Sequence, residues 1–186
     1  MTNYNKTIVM STFPRCGSNF VKSYLEETTD IKIIKTHRIV IDDRDIFTIV
    51  RDPFDSIASF LTMESINGYD WFSDKMRCEE RIENYEFFYK YILKHINFII
   101  NFDNLDNKIE QISDLLCKNF GVKQIKSIDE VNKFEWFKKT TKIKSNITLT
   151  STNSQYYDLA RESLKKYDLS KCYELYNQAI SKTIIW

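Results

Sequence analysis

Apolar residues fall in two rhythms along this chain. Short runs rich in β-branched side chains, TIVMSTF (Thr7–Phe13), IKIIKTH (Ile31–His37), DIFTIV (Asp45–Val50) and INFIINF (Ile96–Phe102), predict strands. The first is apolar enough for a strand buried on both faces of a parallel sheet. Between the runs the period lengthens to that of a helix. Phe20, Val21, Tyr24 and Leu25 share a face in SNFVKSYLEE, and in RDPFDSIASFLTM Pro53 suits a first helical turn. Tyr85, Phe88, Tyr89 and Ile92 recur on one side of Cys78–Lys94, and Lys108–Asn119 is an amphipathic helix with Gly121 close behind its end. Strands alternating with helices predict an α/β fold, a parallel sheet between helical layers.

Two stretches keep neither rhythm. Glu64–Lys75 carries Asn67-Gly68 and predicts a loop, although Tyr69, Trp71 and Phe72 lie within it. Lys138–Asn153 is a polar run of Lys, Thr, Ser and Asn and predicts an irregular excursion, with a helical tail at about 155–182 broken near Asp168-Leu169-Ser170. No linker separates domains, and 186 residues suit one domain over 1–186.

Composition narrows the function classes. The 27 basic and 26 acidic residues leave a formal net charge of +1, so no global field favours nucleic acid or an anionic membrane, and any anion site has to be local. Cys16, Cys78, Cys117 and Cys172 form no C-x-x-C pair, which argues against a zinc centre or disulfide framework and for a reduced, cytoplasmic setting. The first residues run from MTNYNK straight into a strand, so neither a leader nor a membrane span is expected. With only three glycines in the chain, Gly17 stands out, because it falls between a strand and a helix.

That junction, STFPRCGSNF (Ser11–Phe20), has the spacing of a Walker loop, but Ser18 stands where the lysine belongs. A phosphate could still be held. Backbone N–H groups at the helix start attract an anion, Gly17 permits close approach, and Arg15 supplies the charge. A second strand-to-helix junction, RDPFDSIAS, ends in Arg51. Ser18, Asn19 and Ser59 also suit helix starts as caps, a role compatible with phosphate binding. By helical spacing alone Phe20 is a core residue.

The two junctions together resemble the PAPS-dependent sulfotransferases. PRCGSNF (Pro14–Phe20) is similar to that family's 5′-phosphosulfate loop, P-[KR]-S/C-G-[ST]-x-[WF], and RDPFDSIAS (Arg51–Ser59) matches each fixed position of its 3′-phosphate signature, R-[ND]-P-x-D-x-x-x-S. KTH (Lys35–His37) resembles the segment in which cytosolic members keep their catalytic histidine, and the stretch from Phe98 to Val122 resembles the strand and helix that follow in many members, with Phe102 replacing a tyrosine. The resemblance covers roughly the first two thirds of the chain by motif order. The basic, glycine-containing C-terminal loop of longer members has no recognisable counterpart; Lys142 or Lys144 would be its replacement.

The resemblance implies a three-layer, P-loop-NTPase-like sulfotransferase fold and PAPS as donor. Arg15, Cys16, Gly17, Ser18, Asn19 and Phe20 would bind the 5′-phosphosulfate and purine, and Arg51 and Ser59 the 3′-phosphate. Lys35 and Arg15 would neutralise the transferring group, and His37 would take the proton of a small-molecule or carbohydrate acceptor bearing a hydroxyl or amine. Neither metal nor nucleic acid is implied. The aromatics near Trp71 and Phe72 would wall the acceptor. Two alternatives remain: a catalytically silent PAP- or nucleotide-binding module, and a P-loop kinase, for which Ser18 and the Arg51-Asp52 pair fit poorly.

Overall fold

Four short strands pair in parallel in the computed structural model, which describes residues 5–40, 43–69, 75–129, 133–141 and 155–183. They are β1 (Lys6–Ser11), β2 (Ile31–Thr36), β3 (Ile46–Val50) and β4 (Ile99–Asn101), in the order β2-β1-β3-β4. The register runs from Lys6 opposite Ile31 to Ser11 opposite Thr36, with Val9 opposite Ile46 and Thr48 opposite Ile99. Ile8, Val9 and Met10 are fully buried, as are Phe47, Ile49 and Val50. Covered on both faces, a parallel strand reads as an unbroken apolar run, and the sequence pattern of β1 and β3 has that origin.

Among the described residues seven helices accompany the sheet: α1 (Ser18–Thr28), α2 (Pro53–Ile66), α3 (Lys75–His95), α4 (Leu105–Phe120), α5 (Lys133–Thr141), α6 (Gln155–Leu164) and α7 (Ser170–Ser181). They pack as two groups, α1 with α4 and α5, and α2 with α3, α6 and α7. The architecture is a parallel sheet flanked by helices, the arrangement of a three-layer α/β fold. The four aromatic and aliphatic residues expected on one face of α3 are all buried, and Tyr85 and Phe88 meet Phe13 edge-on. Burying a ring of this size stabilises by roughly 1.5–3 kcal/mol. Among the described residues no helix is long and apolar enough to cross a membrane.

The structure redraws several expected boundaries. The strand expected over Ile96–Phe102 shortens to Ile99–Asn101, because Ile96 N still donates to Ile92 O beyond α3, and a 3₁₀ turn over Phe102–Asn104 starts where the Asn101 side chain accepts from Asp103 N at 3.1 Å. The loop expected from Glu64 begins later. Helix α2 continues to Ile66, and Glu64 accepts from Arg81 Nε at 3.1 Å and from Nη2 at 2.5 Å, which ties its last turn to α3. The polar excursion expected from Lys138 is helical to Thr141. Helix α5 forms because Phe137 and Trp136 close over Phe20 and Tyr24, with ring centroids 5.7 and 5.9 Å apart. Trp71 and Phe72, and Lys142 and Lys144, lie outside the described residues. The two tail helices and their break at Asp168–Leu169 stand where the sequence places them.

Strand order positions the site. From β1 the chain crosses to β2 on one side, whereas from β3 it crosses to β4 on the other. Neighbouring strands whose connections leave in opposite directions open a crevice beyond their carboxyl ends, where ligands of open α/β sheets bind. Here those strands are β1 and β3, which lead into the Arg15 loop and into Arg51.

Candidate functional site

The loop after β1 turns back on itself through two left-handed residues, Arg15 (φ 69°) and Gly17 (φ 73°). Glycine tolerates this conformation, but an arginine held there carries about 1–3 kcal/mol of strain, which persists only where surrounding contacts enforce it. The contacts are visible. Arg51 Nη1 donates to Arg15 O at 2.9 Å, and Arg15 Nε donates to Ser59 Oγ at 3.1 Å. The two junctions read separately in the sequence are thus bonded to each other across the β1–β3 crevice. Burial foremost, and then the neighbouring Arg51 charge, holds Arg15 below the ordinary guanidinium value.

Gly17 is also the N-cap of α1 and provides no side-chain cap for that helix's first amides. Such a helix start favours an anion. A Cβ at Gly17 would lie 2.6 Å from Leu105 Cδ1 and 2.9 Å from Phe102 Cε2, so the loop packs directly on the end of β4 and the start of α4. At Gly68 (φ 90°) a Cβ would meet nothing within 4 Å. Gly17→Ala is therefore expected to cost about 1–3 kcal/mol more than Gly68→Ala in chemical denaturation, since overpacking adds to the backbone strain common to both. Equal losses would mean that the loop does not rest tightly on Phe102 and Leu105.

The end of β3 is held from behind. Tyr85 and Tyr89, four residues apart on α3, donate their hydroxyls to Arg51 O and Ile49 O, each at 2.9 Å. Burial pushes both phenols well above their ordinary value, so they remain neutral donors. The Arg51 guanidinium stacks on Phe102 with Cζ 4.4 Å from the ring centroid. Its Nε is buried and has no hydrogen-bond partner among the described residues. No ion pair joins Arg51 to Asp52 or Asp55. Asp52 caps α2 by accepting from Asp55 N at 3.0 Å, while Asp55 binds Tyr157 Oη at 2.9 Å and pairs with Arg161, fastening α6 to α2.

The third element comes from β2. Lys35 Nζ donates to Asn19 Oδ1 at 2.6 Å, joining the end of that strand to the first turn of α1; burial, then Lys22 and Arg15, lower its pKa. His37 is exposed, with Nδ1 2.9 Å from Thr12 O. A carbonyl oxygen can only accept, so Nδ1 carries the proton and Nε2 the lone pair. Desolvation lowers the His37 pKa most. The Thr12 hydrogen bond opposes it, and the Lys35 and Arg15 charges lower it further, leaving the neutral ring as the dominant form near pH 7.

The expected residues separate by geometry. Arg15, Arg51 and Ser59 meet directly, and Lys35, Asn19 and His37 rim the same loop. Cys16 is fully buried against Ser56 Oγ and Tyr89 Oη, both at 3.6 Å, and burial raises its thiol pKa; what it offers a ligand is backbone, as Ser18 does, itself 5% exposed. Phe20 is 2% exposed and packs edge-on against Phe137, so its ring takes the core position that helical spacing predicts rather than the purine-stacking position that the resemblance implies. Tyr85, Tyr89 and Phe102 brace the site although no motif marks them as site residues. Fully buried tyrosines carry a signal of their own, since each hydroxyl requires a partner. A comparison with protein-family models and with curated proteins finds no match for this chain.

Proposed function

We propose that this chain is a sulfotransferase of P-loop-NTPase-like fold that holds PAPS across the carboxyl ends of β1 and β3, transfers its sulfuryl group to a hydroxyl or amine acceptor, and releases PAP. The observation that carries the reading is the direct link between the two arginines. Arg51 and Arg15, supplied by different strands, are joined at 2.9 Å beside a helix start that lacks a side-chain cap. An arginine side chain bonded to the backbone of a loop that carries a second arginine, both beside a helix N-terminus, suits a ligand bearing more than one phosphate-like group. The buried Arg51 Nε is a donor that such a ligand would satisfy.

PAPS, when bound, supplies an electrophilic sulfur and a phosphate leaving group. The first amides of α1 and Arg15 hold the 5′ end and neutralise charge on the departing oxygen. Arg51 and Ser59 hold the 3′-phosphate, Arg15 exchanging its bond to Ser59 Oγ for one to the ligand. Lys35, released from Asn19, neutralises the transferring group. His37 Nε2 accepts the acceptor's proton as the acceptor oxygen or nitrogen bonds to sulfur and the sulfur–oxygen bond to PAP breaks. The Thr12 carbonyl keeps the required tautomer in place.

The test is thermal melting with PAP, ADP and ATP in the absence of magnesium, followed by labelled PAPS offered to acceptor classes. PAP should raise Tm far more than ADP, with a stabilisation of about 2.7 kcal/mol at a hundredfold excess over Kd. Equal shifts would remove the 3′-phosphate site from the proposal. A PAP shift without transfer to any acceptor would leave a nucleotide-binding module.

A further inference from the structure

Helix α3 presents an exposed face carrying two aromatic rings. Glu83, Phe87, Lys90, Tyr91 and Lys94 follow one another at helical spacing. Phe87 and Tyr91 are 56% and 42% exposed, with ring centroids 4.8 Å apart. Single exposed aromatics are ordinary on a protein surface; an adjoining pair bracketed by charges is the composition of an interface core with its rim. Glu83, Lys90 and Lys94 form no ion pair among the described residues, whereas charges elsewhere on α3 do. Glu79 pairs with Lys75, Glu80 with Arg77, and Glu86 with Lys171.

A groove of about 720 Å³ runs beside this face, between α3 and α7. The two helices run in the same direction, since Lys171 at the start of α7 meets Glu86 in the middle of α3, and Lys182 just past the end of α7 donates through Nζ to Leu93 O near the end of α3 at 2.9 Å. Apart from the paired Glu86 and Lys171, the charges lining the groove follow one order along both helices, Glu83 before Lys90 and Lys94 on α3 and Glu174 before Lys182 beyond α7. This pattern is complementary to itself when reversed, as a two-fold interface requires.

We propose that a second copy of this chain packs its α3 antiparallel across this α3, forming a two-fold dimer through the α3–α7 groove. The axis lies midway between Glu83 and Lys94 along the helix. Glu83 then faces Lys94 of the second copy, Lys94 faces its Glu83, and the Phe87–Tyr91 pairs cover each other at the centre. A parallel arrangement would instead set Glu83 against Glu83 and Lys94 against Lys94. The proposal uses none of the residues of the nucleotide site, so it stands apart from the function proposed above.

Analytical ultracentrifugation over a range of protein concentrations tests it. The wild-type chain should sediment as a dimer, and Phe87→Glu, a change at an exposed position, as a monomer with an unaltered circular dichroism spectrum. Glu83→Lys alone and Lys94→Glu alone should each raise the dimer dissociation constant by roughly tenfold or more, because each sets like charges against one another twice in the two-fold pair. The double variant, Glu83→Lys with Lys94→Glu, should restore the dimer, and so should mixing the two single variants, which then form a heterodimer. A monomeric wild-type chain at every concentration, or a dimer indifferent to Phe87→Glu, overturns the proposal. Failure of the double reversal to restore association overturns the antiparallel arrangement.

Discussion

Arg51→Ala is expected to abolish most of a PAP-dependent rise in Tm and to weaken PAP binding by about 10²-fold or more, with little change in the weaker binding expected for ADP. A hydrogen bond to a charged group contributes about 1.5–3 kcal/mol, and a guanidinium on a phosphate makes two in parallel. The substitution also removes the bond to Arg15 O and the stack on Phe102, so the free protein loses stability as well. Two further measurements separate these effects. Arg51→Lys preserves the charge but not the fork, and should recover only part of the PAP affinity. Calorimetric titration at a temperature where each variant is folded reads binding without the stability term. If Arg51→Ala binds PAP and ADP with an unchanged ratio of affinities, the guanidinium is a brace for the Arg15 loop and the 3′-phosphate lies elsewhere.

His37→Ala should show the opposite profile, losing the proposed transfer by roughly 10²–10⁴-fold while retaining PAP affinity. The imidazole touches the loop through one hydrogen bond from an exposed position, so its removal leaves the packing behind Arg15 and Arg51 in place. The pH dependence follows from its depressed pKa. Because the folded value lies below the ordinary 6.5, the base stays unprotonated through neutral pH, and kcat/KM should fall only as pH drops beneath the usual imidazole range. Stability has the same sign. Below the unfolded value the unfolded chain binds more protons at this site than the folded one, so the ring's contribution is complete above pH 6.5 and is lost as pH falls through the folded value. An acid limb that persists unchanged in His37→Ala would assign the proton transfer to another group.

Tyr85 and Tyr89 show how far local pattern reaches. Their spacing places both on the buried face of α3, and they are buried there, yet periodicity treats a tyrosine as it treats a phenylalanine. Which carbonyls their hydroxyls would find depends on the depth at which β3 passes α3, and nothing in either segment records that distance. Phe20 shows the converse. A motif position suggested a ligand contact, but Phe137, more than a hundred residues later, covers the ring through a helix that a polar, lysine-rich stretch obscured.

What the sequence by itself determined is local: which residues make strands and helices, where Pro53 opens α2, and that anion-capable residues end two of the strands. These follow from side-chain period, backbone preference and capping chemistry, all encoded within a few residues of one another. The strand order β2-β1-β3-β4, the crevice between β1 and β3, and the bond from Arg51 to a strained Arg15 were decided by the tertiary structure alone. Strand adjacency is selected by how helices and sheet jointly bury their apolar faces. That global packing condition brings Arg15 and Arg51, thirty-six positions apart, to 2.9 Å.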